Sequence, residues 1–142
     1  MKGADFLDVA KDLLKAKSEA ALRLAISRVY YALFNSAAEI LREWGFTVSE
    51  GPGAHGEIRN RFSNCGIEQV TNFVHSLDEL RSRRNQADYK MGSKAFENRT
   101  HCALLVANAV VAIQTLVSFQ REPLRQQIQT GIRAYESKIK YS

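Results

Sequence analysis

The chain has 142 residues, enough for one domain with a real hydrophobic core. With 45% hydrophobic residues and only 2 Pro and 8 Gly, it is neither disordered nor collagen-like, and it reads as helices joined by short connections. A net charge of +5 and a pI ≈ 9.4 suit nucleic-acid or other anionic partners without specifying one.

Asp5 to Lys17 reads as a first helix, with Phe6, Ala10, Leu13 and Leu14 on one side. Ser18 is placed to cap a second helix from about Glu19 to Trp44. Its apolar series is Leu22, Ile26, Val29, Tyr30, Leu33, Ala37, Ile40 and Trp44, in steps of three and four, and Gly45 ends it. Gly51-Pro52-Gly53 marks a loop from Gly45 to Ala54. A short helix from His55 to Phe62 follows, broken at Asn64-Cys65-Gly66.

A fourth helix is announced by the stripe Ile67, Val70, Val74, Leu77 and Leu80. Its end, Leu80 to Lys90, crowds three arginines with an Asn, an Asp and a Tyr. Carrying the stripe forward predicts a solvent-facing cluster at Arg81, Arg83, Arg84, Asn85 and Asp88. Asp88 stands four residues from Arg84, the spacing of a local ion pair. The simplest account of the cluster is a basic helix end beside the negative pole of the macrodipole. Gly92 is a stop signal, and Ser93 is the expected cap of a fifth helix reaching Phe119. Within it, Cys102 to Ile113 is strongly apolar, too short to span a bilayer and interrupted by Asn108, so a buried helix is expected. After Pro123, a last helix from Leu124 to Lys138 carries a thin stripe of Leu124, Ile128, Ile132 and Tyr135. The fold class is therefore all-α. It is an antiparallel bundle of about five helices plus an amphipathic C-terminal helix, in one domain with a core of 5–120 and an extension of 121–142.

The charge is concentrated. Arg81, Arg83, Arg84, Lys90, Lys94 and Arg99 face only Asp88 and Glu97 between positions 81 and 101, a net +4. Cys65 and Cys102 have no paired spacing, and no Cys/His cluster matches a zinc site, so neither metal nor cofactor is expected. The amino-terminal residues lack the apolar core of a signal peptide, and a reduced, cytoplasmic setting without membrane attachment is the expectation. Tyr30 and Tyr31 point about 100° apart on a helix, so one can enter the core while the other reaches a neighbour.

Two segments resemble the HEPN superfamily of small helical bundles. Ser27-Arg28-Val29-Tyr30-Tyr31-Ala32 is similar to a Ser-Arg-x-Tyr-Tyr-Ala segment of one branch, and Arg84-Asn85-Gln86-Ala87-Asp88-Tyr89 to its Arg-x-x-Ala-Asp-Tyr segment. His55, after the Gly-Pro-Gly loop, falls where that branch often has a His opening a short helix. The resemblance covers about Leu7 to Phe119. It implies a homodimer that binds RNA or a nucleotide in a toxin–antitoxin or defence system, often beside a minimal nucleotidyltransferase. It also implies a metal-independent endoribonuclease site, in which an Arg and a following polar residue are separated by four to six residues from a His. Arginine would stabilise the phosphate, and histidine would move the protons of the 2′-hydroxyl and the leaving oxygen.

Arg84 and Asn85 match the Arg–polar pair, but the positions open to the His hold Tyr89, Lys90 and Met91. A phenol ordinarily ionises near a pH of about 10, too high for an efficient base at neutrality. The candidate catalytic set is accordingly a degenerate one: Arg84, Asn85, Asp88 and Tyr89, with His55 as a substitute. The candidate nucleic-acid-binding set is Arg81, Arg83, Arg84 and Lys90. Three readings stay open: a binding protein with a degenerate nuclease motif, an active endoribonuclease toxin, and a non-catalytic adaptor dimer. Whether Arg81, Arg83 and Arg84 share one open face separates the binder from the adaptor.

Overall fold

The computed structural model describes residues 3, 5–16 and 18–140. All regular secondary structure among them is helical: α1 (Asp5–Leu13), α2 (Glu19–Glu43), α3 (Ala54–Ser63), α4 (Glu68–Tyr89), a 3-10 turn (Lys94–Glu97), α5 (Arg99–Ser118) and α6 (Leu124–Lys140).

Helix α2 is the hub, packing against α1, α3, α4 and α5. Leu22, Ile26, Val29, Leu33 and Leu41 are fully buried along it, and Ala25, Ala32 and Ala37 let neighbouring helices come close. Its ends follow from local chemistry. The Ser18 hydroxyl accepts the Ala21 amide at 3.2 Å, satisfying one of the free donors of the first turn. At the other end Gly45 takes φ +90, the left-handed region that glycine enters without strain. The amides of Gly45 and Phe46 then reach back to Arg42 and Leu41, a Schellman closure.

Several boundaries differ from the sequence expectation. α1 stops at Leu13 rather than running on through Ala16, because the amides of Lys15 and Ala16 bond three residues back and tighten the chain into a turn; Lys17 lies outside the described residues. α3 extends one residue beyond each expected end. Ser93 caps the 3-10 turn rather than α5. Phe96 turns into the core there, Asn98 is extended, and the Asn98 side chain caps α5 by accepting the His101 amide at 3.1 Å.

The fifth helix is not buried throughout, as the sequence led us to expect. Cys102, Leu105, Val106, Ala109, Ala112 and Leu116 face the core, while Leu104, Val111 and Val117 are exposed. Nor does the helix end with the apolar run. Its 20 residues are long and apolar enough to cross a membrane by length and composition, a test that the core helix of a soluble protein also passes.

α6 closes the bundle over α3. Ile128 and Ile132 are fully buried in the common core, so the thin stripe of the sequence is sufficient to dock it. Gly131 lies against the carbonyl of Cys65, leaving no space for a side chain. On the same side, Arg61 of α3 and Arg133 of α6 flank the Phe46 ring at 5.4 and 5.3 Å, and Arg61 pairs with Glu136 at 2.6 Å.

Candidate functional site

The end of α4 is held from below by α2. Arg23 is buried, and its guanidinium donates to the backbone carbonyls of Gln86 (3.2 Å), Ala87 (2.8 Å), Met91 (3.1 Å) and Ser93 (3.0 Å). Its Nε pairs with Glu19 at 3.0 Å, and its plane lies 4.9 Å from the centre of the Phe96 ring. The last carbonyls of a helix have few partners within the helix; here one arginine fork serves Ala87, adds a second donor to Gln86, whose carbonyl also accepts the Lys90 amide, and holds the following turn. The last turn of α4 contains no basic residue of its own. The cluster therefore does not neutralise the helix end, as the simplest sequence account had it; Arg23 does.

Arg84 is not solvent-facing. Its Nη2 donates to the Tyr31 hydroxyl at 2.7 Å and its Nη1 to Asn85 Oδ1 at 3.0 Å. The expected ion pair forms, with Nε 2.9 Å from Asp88 Oδ2, but this buried N–H is not aimed at the oxygen, so the contact is one of charge rather than an aligned hydrogen bond. The rings of Tyr31, Tyr89 and Tyr30 lie 5.3, 5.6 and 6.0 Å from the guanidinium carbon. The two tyrosines divide as the 100° offset requires: Tyr30 enters the core, and Tyr31 reaches α4.

Beside this tie lies an open cleft of about 480 Å³ between α3 and α4, lined by His55, Arg59, Asp78, Arg81, Ser82, Asn85, Gln86 and Lys90. His55 is buried at its wall. Its Nδ1 is 2.8 Å from the Tyr30 hydroxyl and its Nε2 3.2 Å from Asp78 Oδ1, while Arg59 donates to Asp78 Oδ2 at 2.9 Å. Burial pushes the imidazole below its ordinary range, against the pull of Asp78. A neutral ring beside an acceptor-only carboxylate carries its proton on Nε2, so Nδ1 accepts from the phenol. Burial raises Tyr30 to about 12, with Arg81 and Arg84 opposing, so it keeps the proton it donates. The side chains of Arg81 and Lys90 make no hydrogen bond or ion pair among the described residues.

Of the four candidate nucleic-acid-binding residues, the cleft gathers Arg81 and Lys90. Arg83, two residues and about 200° further round the helix, is not in the lining and donates to Gln86 Oε1 at 3.5 Å, and Arg84 is tied down. The three arginines do not share one open face, so that criterion taken alone favours the adaptor, and a binding reading has to rest on Arg81 and Lys90 instead. Of the candidate catalytic set, Asn85 and His55 line the cleft, Arg84 and Asp88 stand behind it, and Tyr89, 71% exposed, is outside its lining. His75 is exposed on α4 and His101 sits in the first turn of α5. Sequence reasoning missed Arg23 and Asp78, and saw Arg59 only as a neighbour of His55 on the short helix. Arg23 left a signal, a lone cation in the apolar run Leu22 to Ile26; Asp78 left none, because its partners lie on another helix. Cys65 and Cys102 are free and buried, and burial raises both thiols, which makes them inert. No group of His, Cys, Asp or Glu among the described residues is arranged to hold a metal ion. Comparison with family models, with curated proteins and with solved structures found no match to this chain.

Proposed function

We propose that the chain binds RNA or a nucleotide through the cleft between α3 and α4, as a homodimer with a degenerate nuclease motif. The observation that carries this reading is the convergence of Arg59, Arg81 and Lys90 on a cleft whose lining has one carboxylate, Asp78. Asp78 is already paired with Arg59, so Arg81 and Lys90 are left to meet phosphate. Asn85, Gln86 and Ser82 supply neutral hydrogen-bonding groups, and the exposed ring of Tyr89 next to Lys90 offers a stacking surface. The homodimer rests on α5, whose exposed Leu104, Val111 and Val117 lie in a run, 100–120, without a charged side chain. α2, by contrast, uses its apolar surface inside the bundle. A place in a toxin–antitoxin or defence system, with a minimal nucleotidyltransferase as partner, follows from the HEPN resemblance alone.

Fluorescence anisotropy with labelled single-stranded RNA tests the reading. Binding weakens as salt rises, and Arg81→Ala and Lys90→Ala each lower affinity while Lys15→Ala does not. Salt-independent binding, or indifference to both cleft substitutions, refutes it.

A ribonuclease reading has one observation in its favour: His55 lines the same cleft as Arg81. Both of its ring nitrogens are occupied, however, by Tyr30 and Asp78, which leaves no lone pair for a 2′-hydroxyl proton. Robust RNA cleavage in chelator, abolished by His55→Ala, decides for the enzyme.

A further inference from the structure

A second cleft, of about 430 Å³, opens beside Arg84. Its lining is Phe6, Leu24, Ser27, Arg28, Tyr31 and Asp88. Arg84 joins the two clefts: Nη1 donates to Asn85, which lines the basic one, and Nη2 to Tyr31, which lines this one. Asn85 and Asp88 are three residues apart on α4, so their side chains are neighbours on its surface.

The second cleft differs from the first in chemistry. Phe6 and Tyr31 give it two rings, 6.3 Å apart between centres, each with a guanidinium already over it, Arg28 at 6.0 Å and Arg84 at 5.3 Å, and Leu24, 42% exposed, extends the apolar wall. Asp88 brings a partly exposed carboxylate. Its Oδ2 is taken by the Arg84 charge and, at 3.4 Å, by the Ser27 hydroxyl; its Oδ1 has no hydrogen-bond or ion-pair partner among the described residues. Such a cleft suits a flat heterocycle that stacks on rings and presents N–H donors at its edge.

We infer that this aromatic cleft is a base pocket in which Asp88 selects a nucleobase bearing an exocyclic amine. The inference rests on the proposed nucleic-acid binding and adds its specificity. A carboxylate only accepts hydrogen bonds. The exocyclic amines of cytosine, adenine and guanine donate to Asp88 Oδ1. Uracil places a carbonyl where cytosine carries the amine, so at that position two acceptors face each other and only its single ring N3–H is left to donate. Discrimination therefore has both an attractive and a repulsive part.

The test uses fluorescein-labelled decamers of cytidylate, adenylate and uridylate at one salt concentration, with a salt series for each. The expected result is tighter binding of the cytidylate and adenylate oligomers than of uridylate, by on the order of tenfold, the range of a hydrogen-bonded base contact. Asp88→Asn presents an amide that both donates and accepts, so uridylate catches up and the ratio collapses. Asp88 also touches Arg84, so a second variant is needed that leaves the ion pair intact. Phe6→Ala removes a stacking face and lowers affinity for the cytidylate and adenylate oligomers. Salt-dependent binding that is equal for the three oligomers, or a base ratio unchanged in Asp88→Asn, overturns the base pocket and leaves the proposed function standing. The absence of salt-dependent binding to all three overturns both.

Discussion

Replacing Arg23 by alanine is the sharpest test of how this site is built. The guanidinium serves four carbonyls, Gln86, Ala87, Met91 and Ser93, from a buried position, and no other side chain among the described residues hydrogen-bonds to those oxygens. A hydrogen bond from a charged donor contributes about 1.5–3 kcal/mol. The four do not add in full, because one side chain makes them all and part of the exposed backbone regains water. Removing one partner of a buried charged network costs about 3–5 kcal/mol, and we expect Arg23→Ala to fall in that range. For a chain of this length that is a drop in melting temperature of roughly 10–20 °C. Urea denaturation followed by circular dichroism gives the free energy, and hydrogen exchange shows where it is lost, in the amides that follow Asn85. Arg23→Lys does not rescue it, since a compact ammonium cannot fork to four carbonyls as the planar guanidinium does. Because the charge is buried, added salt leaves the loss nearly unchanged. A loss below about 1 kcal/mol, or full rescue by lysine, would refute the claim that Arg23 holds the end of α4.

Two further predictions concern stability. In Gly131→Ala the new methyl runs into the carbonyl oxygen of Cys65, so α6 must shift; despite the better helix propensity of alanine, the denaturation midpoint falls, and a rise would disprove the close packing. His55 gives a pH dependence whose sign follows from burial. Its folded-state affinity for a proton lies below that of the unfolded chain, whose ordinary value is 6.5. The stability it contributes is therefore complete above that value and is lost as the pH falls below it. His55→Gln flattens the change in urea midpoint between about pH 7.5 and pH 5, and an unaltered pH profile counts against a buried neutral ring.

The helices were legible because their signals are local. Ser18 and Gly45 bracket α2, and steps of three and four in the apolar residues of α2 and α4 choose the buried faces. The start of α5 was misread because Ser93 and Asn98 are equally good caps five residues apart. Only the burial of Phe96 decides between them, and that depends on the neighbouring helices. The Arg84–Asp88 pair was legible for the same reason as the helices, being four residues apart on one of them. The partners of His55 were not: Tyr30 and Asp78 lie 25 and 23 residues away and meet only when α2, α3 and α4 pack.

The same limit governs how far net charge predicts affinity. The window from Arg81 to Arg99 has a net +4 by counting, and a strand meeting four charges would show a salt slope of about −2.8. The geometry removes much of that count. Arg84 is committed to Tyr31, Asn85 and Asp88, Arg83 turns to Gln86, and Arg59, which adds a cation from α3, is matched by Asp78. Arg81 and Lys90 remain in the cleft. With two phosphate contacts on a single strand the slope of log K against log salt is about −1.4, and each of Arg81→Ala and Lys90→Ala halves it to about −0.7. An oligonucleotide too short to reach two clefts of a dimer is the right probe. A measured slope near −2.8 would mean that phosphate reaches Arg83 and Arg84 as well, and that the ties seen around Arg84 give way when RNA binds.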